Sequence, residues 1–479
     1  MNDSGIGKRI TRYGTILSIS GMVCKLLLLV YTVLAVNILG QDKFGRIEYF
    51  IEIAVIFTVL FDFGLEQTVT REVARRRETI HRILAPLLTY RFLVSLMGVV
   101  VFILFLLLTG KANHTLSLIL CTATYFFVVL NLMTARALVR SFEWLGTEGA
   151  ANIVEKVIQI GLAVLFLYFL PKLPLIVLCY TAGMIAAFSI YVAVLFRHFS
   201  FSTTGVNWRL GWEWQKIAVM IGLAGSCIML LHRQDTAMVN WISGDAETGL
   251  YRAPYRFLEG LFLFPQVLAI SAYPVFSKLF HEGRPFSETA ALLLRGLMIL
   301  CLPITIGGTV VASEMIPALL SSLEPGGDRI FQILLWALPF VYANFLLGTI
   351  LVATDRQKWN LIASVCGLLC NAVLNIPAIY WYGAYGASVV TIVSQGLYCF
   401  LLLVYTRNSL SATGLYSYIS ILVACAVMAF VLRWTSCHWT LDIGIGAMVY
   451  GITLLITGGM SRKDIHNMVS IIRKPQAEE

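Results

Sequence analysis

Residues 8–39 read KRITRYGTILSISGMVCKLLLLVYTVLAVNIL. Three cations, Lys8, Arg9 and Arg12, stand ahead of an apolar run from Tyr13 to Leu39. The run outlasts the roughly 7–15 apolar residues of a secretory leader, so it reads as a retained first membrane span. A helix needs about 20 mostly apolar residues to cross a bilayer, and runs of that kind recur along the chain. Candidate spans lie at 13–39, 47–68, 84–108, 115–139, 150–170 and 173–196. After a more polar stretch they resume at 216–240, 250–276, 290–312, 330–352, 359–381, 384–405, 415–432 and 440–458. The expected fold is all-α, a polytopic membrane protein with about 14 transmembrane helices.

Composition closes off the soluble alternatives. Hydrophobic residues make up 58% of the 479 and charged residues 13%, against about 25% charged in a soluble domain. No hydrophilic stretch is long enough for a separate water-soluble core. The net charge of +9 does not point to nucleic acid, because its cations sit in short clusters between apolar runs. Nine of the ten cysteines lie inside apolar runs and Cys437 in a short connection. With no CxxC pair or Cys/His grouping, they read as packing residues, and no metal or cofactor is expected.

The charges between spans set the orientation. With a cytoplasmic N-terminus, the inner segments hold the Arg71–Arg82 cluster, Arg140, Arg197, Lys278, Arg356, Arg407 and the basic tail, among others. The outer segments hold only Lys43, Arg46, Lys111, Lys172, Arg329 and Arg433. Basic residues favour the cytoplasmic side, so a multi-pass protein of the cytoplasmic membrane with both termini inside, and Cys437 outside, is expected.

A short internal repeat divides the chain. Gly40-Gln-Asp-Lys-Phe-Gly45 follows span one, and Gly244-Asp-Ala-Glu-Thr-Gly249 follows span seven, with equal glycine spacing. Asn131 and Asn344 likewise precede charged turns at Glu143 and Asp355. Chance turn chemistry is the competing reading. Six helices per repeat give a parallel duplication, as in the halves of several transporters. The expected organisation is a cytoplasmic tail (1–12), a six-helix lobe (13–196), a cytoplasmic linker (197–215) and a second six-helix lobe (216–405). Two additional helices (406–458) and a cytoplasmic tail (459–479) follow.

The same residues carry a family resemblance. Val36-Asn-Ile-Leu-Gly40, Gly45-Arg-Ile-Glu-Tyr, Phe61-Asp-Phe-Gly-Leu65 and Arg71-Glu-Val-Ala-Arg75 resemble the polysaccharide flippases of the multidrug/oligosaccharidyl-lipid/polysaccharide (MOP) exporter superfamily. So do Asn371-Ala-Val-Leu-Asn-Ile-Pro377 and Tyr382-Gly-Ala-Tyr-Gly-Ala-Ser388. The resemblance implies two six-helix lobes in a V, alternating access, and a cationic cavity for a pyrophosphate-linked oligosaccharide. It further implies lipid-linked oligosaccharide and membrane lipids as partners, with a coupling proton or sodium ion and polysaccharide assembly proteins as further candidates.

A charge at the bilayer centre costs about 2.5–3.5 kcal/mol even on the insertion scale, so each one inside a span needs a reason. Lys25, Arg91, Lys156, Arg233, Arg252, Arg256 and Arg295 are the candidate substrate-binding cations of the cavity. Arg suits a diphosphate through bidentate hydrogen bonds, and Lys through a compact charge. Snorkelling competes as an explanation for Arg91, Lys156 and Arg295, an ordinary interface position for Arg252, and mutual pairing for Arg256 and Glu259. Glu52, Asp62, Asp235 and Glu259 are the candidates for ion coupling or gating, with helix capping the bland reading of Asp62.

Three rivals remain open. A lipid II-type flippase differs only in substrate. A multidrug antiporter of the same superfamily is expected to carry an acidic, aromatic site. A membrane-embedded polysaccharide polymerase or glycosyltransferase needs a larger outer loop than Ser313–Arg329 and a carboxylate or histidine constellation beside it. Transport rather than catalysis is the expectation.

Overall fold

The computed structural model describes residues 3–75, 80–109, 116–199, 208–410, 415–435 and 438–459. Cys437, residues 200–207 of the expected 197–215 linker and the tail beyond 459 lie outside them. The described chain is all-α. Its helices are α1 (Asp3–Leu39), α2 (Gln41–Asp62), α3 (Leu65–Arg75), α4 (Ile80–Leu108), α5 (Leu116–Ser141), α6 (Leu145–Phe169) and α7 (Leu173–His198). They continue as α8 (Trp208–Leu261), α9 (Leu263–His281), α10 (Ser287–Leu319), α11 (Gly327–Leu335), α12 (Leu338–Ala353), α13 (Gln357–Thr406), α14 (Leu415–Trp434) and α15 (Trp439–Ile456).

Among the described residues, ten helices are long and apolar enough to cross a membrane. Their outward faces are apolar too: Leu108, Phe169 and Ile456 are all strongly exposed. That pattern suits hydrocarbon and would be a liability in water. Two of the ten contain a backbone break, α8 at Gly244 (φ 89°) and α13 at Gly383 (φ 54°). Each break divides one long element into two helical arms. The α2 helix falls outside the ten because it carries Asp42, Lys43, Arg46, Glu48, Glu52 and Asp62.

The second expected span, 47–68, is corrected. Its helix runs from Gln41 to Asp62, and Leu65–Arg75 forms a separate amphipathic helix. Phe63 ends α2 in the left-handed region (φ 39°), followed by Gly64 (φ 83°). The apolar Phe61-Asp-Phe-Gly-Leu sequence hides this stop, because its only breaker is a single glycine.

The repeat is present in the backbone at both matched pairs. Gly40 and Gly244 share a positive φ (79° and 89°) with extended ψ. Glu143 and Asp355 are both non-glycine residues of positive φ, at 61° and 56°. Each sits in the same turn: Glu143 N donates to Arg140 O and Trp144 N to Val139 O, while Asp355 N donates to Val352 O and Arg356 N to Leu351 O.

The chain forms two compact units, one of Ile10–Gly249 and one from Leu250 onward. The first therefore includes the opening arm of α8, residues 208–249. In the second, α14 and α15 pack on α10 through Val311, Cys425, Met428 and Tyr450.

Candidate functional site

In the first unit, α2 and the opening arm of α8 meet along a seam that collects charged and aromatic groups from both. Arg46 Nε donates to Asp245 Oδ2 at 2.7 Å, Trp241 Nε1 to Tyr49 OH at 2.8 Å, and Arg233 Nη1 to Glu52 Oε1 at 2.6 Å. Gln41 Nε2 also donates to Ala246 O at 2.9 Å. Glycines let the backbones come this close. A methyl group on Gly45 would collide with Asp245 O and Gly249 N, and one on Gly249 with Gln41 O. Gln41 corresponds to Asp245 in the repeat, and Gly45 to Gly249. The contact is thus reciprocal about a local two-fold, as in an isologous interface. Towards the other end of the seam, Gly64 and Gly222 pack backbone to backbone. Small residues are how membrane helices approach without a hydrophobic driving force between them.

Beneath that end lies a buried ion pair. Arg91 has no exposed surface. Its Nη2 meets Asp62 Oδ1 at 2.6 Å, its Nε donates to Leu130 O at 2.9 Å, and its Nη1 to Phe61 O at 3.3 Å. Asp62 also accepts from the Glu66 backbone N–H at 3.3 Å, capping α3, and its carbonyl accepts from Gln215 Nε2 at 3.1 Å. One aspartate therefore joins α2, α3, α4 and α8.

A second network holds α3, α5 and α6. Arg140 bridges Glu66 Oε1 (3.2 Å) and Glu148. Arg136 faces Glu155 Oε2 at 3.6 Å, and Lys156 Nζ lies 2.9 Å from Glu155 Oε1 and 2.7 Å from Gln159 Oε1. Burial pushes the Glu66 carboxyl above its ordinary value, while Arg136 and Arg140 pull it down. Lys25 is half-buried on α1 beside this network, and the neighbouring Cys24 Sγ lies 3.7 Å from Asn152 O of α6.

In the second unit, Arg252 and Arg256 converge on Glu259, at 3.2 and 3.1 Å. The Arg252 guanidinium also stacks 5.2 Å from the Tyr255 ring. Beyond them runs a buried polar chain. Tyr251 OH lies 3.2 Å from Thr391 Oγ1, Asn375 Nδ2 donates to Asn371 Oδ1, Asn371 Nδ2 to Ser394 Oγ, and Asn344 Nδ2 to Gln395 Oε1. Each such amide is costly to bury unless paired.

The structure thus gives a carboxylate partner to five of the seven expected cations: Arg91, Lys156, Arg233, Arg252 and Arg256. Arg295 is half-buried on α10, within electrostatic reach of Tyr418 of α14. Asp235 is buried in the α8 arm. Sequence reasoning passed over Arg136, Glu148 and Glu155. The rule that flags Lys25, a charge inside an apolar run, flags Arg136 and Glu155 as well; Glu148 falls in the connection between the expected spans 115–139 and 150–170.

The profile of polysaccharide biosynthesis proteins matches residues 10–280. The chain belongs to the polysaccharide biosynthesis protein family. This family member also matches the MatE profile over residues 219–376. It is 22% identical over 374 residues to an uncharacterized membrane protein of Methanocaldococcus jannaschii, covering 75% of this chain and 88% of that one. Among solved structures it resembles the lipid II flippase MurJ in an inward closed conformation, with a TM-score of 0.76 and 16% identity over 92% of this chain and 98% of that one. It also resembles a multidrug resistance MATE family transporter of the MOP superfamily in an inward-facing conformation, with a TM-score of 0.63 and 14% identity over 82% and 97%. The family member therefore has the MOP superfamily fold and is a multi-pass membrane protein.

Proposed function

We propose that the protein is a transporter that flips a lipid-linked oligosaccharide on a polyprenyl diphosphate across the cytoplasmic membrane for surface polysaccharide synthesis. It works by opening alternately to either side, with both termini cytoplasmic. The observation that carries transport is the seam between α2 and α8. Its contacts are ion pairs, side-chain hydrogen bonds and glycine surfaces, joined where the two repeats bend. A seam held by polar and small-residue contacts suits a two-state gate. Membership of the polysaccharide biosynthesis family supports the saccharide substrate. The arginines of α8 supply the charge type that a diphosphate needs. A lipid II-type substrate is the second reading, favoured by the likeness to MurJ across nearly the whole chain. The partial MatE match favours a drug antiporter over the central residues only.

The test uses purified protein in vesicles carrying a fluorescent polyprenyl-diphosphate oligosaccharide, with a membrane-impermeant quencher added outside. The expected result is that the protected inner-leaflet pool becomes accessible only when protein is present. Equal protection with and without protein would overturn the reading. Faster flipping of a muramyl-peptide lipid would move it to the lipid II substrate, and transport of an organic cation instead would move it to an antiporter.

A further inference from the structure

A cavity of about 390 Å³ lies in the first unit, beside the Arg91–Asp62 pair, where α2, α4 and the α8 arm meet. Its walls are Phe61, Phe63, Tyr90, Met97, Trp212 and Val219, with Gln215 at its base. It is open along its apolar flank: Met97 is 58% exposed, Trp212 50% and Leu60 39%. Met97 lies on α4, whose other exposed residues, among them Phe92, Leu96 and Val100, are apolar, so this flank of the groove suits hydrocarbon.

Three features make it a built site rather than a gap. Its walls are fixed, because the Tyr90 ring lies against Gly211 and Gly64 against Gly222, where any side chain would collide. Phe63 reaches it from a left-handed backbone (φ 39°, ψ 39°), a costly conformation for a bulky residue that persists only where surroundings impose it. And one cation lies against a wall residue: Lys216 Nζ is 5.7 Å from the ring centre of Trp212. Trp212 and Lys216 are one helical turn apart and share a face, whereas the exposed Glu213 projects from a different one. A tryptophan–lysine pair of this kind belongs at the level of lipid headgroups.

We infer that this groove holds the isoprenoid tail of a polyprenyl phosphate, with Lys216 at the phosphate. The inference rests on the transport reading above and adds a tail site to it. A methyl-branched chain stiffened by double bonds loses fewer rotamers against rigid aromatic walls than a saturated acyl chain does. The cation supplies the complementary charge for the phosphate.

The test replaces Met97 by the photo-crosslinker p-benzoylphenylalanine in the full chain, with Leu104 of the same helix as a lipid-exposed control position. The probe is a long-chain polyprenyl phosphate. The expected result is an adduct at position 97 that excess unlabelled polyprenyl phosphate suppresses and excess phosphatidylglycerol does not, with no such selectivity at 104. Lys216→Gln is expected to weaken polyprenyl phosphate about fivefold, the order of one basic residue near an anionic surface, and to leave uncharged polyprenol unchanged. Equal suppression by phosphatidylglycerol would reduce the groove to an ordinary lipid crevice, and absence of an adduct would remove the site. Vesicle transport is scored separately: transport intact with no selective adduct overturns the groove alone, and a selective adduct without flipping overturns the transport reading alone.

Discussion

Glu259 is the acid on which Arg252 and Arg256 converge, and all three side chains are nearly buried. Breaking a buried pair from one side costs about 3–5 kcal/mol, because a charge is left without its counter-ion. Glu259→Gln removes a carboxylate from two guanidiniums, whereas Arg256→Gln leaves Arg252 in place on the acid. Thermal melting of the detergent-solubilised protein should therefore fall more for Glu259→Gln than for Arg256→Gln. The double variant Arg256→Gln/Glu259→Gln should recover part of the loss. A smaller effect from Glu259→Gln would mean that the acid is not what anchors the pair. Sequence reasoning left open whether Arg256 and Glu259 pair with each other or serve the cavity, and offered Arg252 no partner. The pairing was legible because it is local. The partner of Arg91 was not, because Asp62 lies 29 positions away and only the packing of α2 on α4 brings them together.

At the scale of elements, the seam depends on glycine rather than on charge alone. Gly249→Val places a branched side chain into Gln41 O, and the reciprocal site, Gly45→Val, does the same to Asp245. Either variant is expected to insert normally and to lose most flipping, while Gly161→Val, where nothing lies within 4 Å of an added Cβ, leaves flipping intact. Normal transport by both seam variants would remove close approach from the mechanism. The corner glycines were readable as a repeat because turn chemistry is written locally. That the two corners face each other was not readable, since no local pattern encodes contact between residues about 200 apart. The α3 helix was missed for a related reason. Only its first residue, Leu65, continues the apolar Phe61-Asp-Phe-Gly-Leu sequence, and the left-handed Phe63 that separates it from α2 is imposed by tertiary packing and not by its own preference.

For the whole molecule, span number and helical class follow from hydropathy, because the bilayer demands long apolar helices with internal backbone pairing. Orientation rests on the distribution of basic residues. In spheroplasts, a cysteine at Lys172 should react with a membrane-impermeant maleimide and one at Glu282 should react only after permeabilisation. Both positions are exposed, so the reverse pattern would invert the topology. What hydropathy cannot supply is which surfaces separate during transport. The most direct measurement cross-links the seam itself. In a background lacking the native cysteines, Arg46→Cys/Asp245→Cys is joined by a flexible bismaleimide with a reducible centre, and flipping is followed in vesicles. The account predicts that flipping falls to the protein-free rate when the seam is joined, and returns on reduction. Undiminished flipping with the cross-link complete would contradict it.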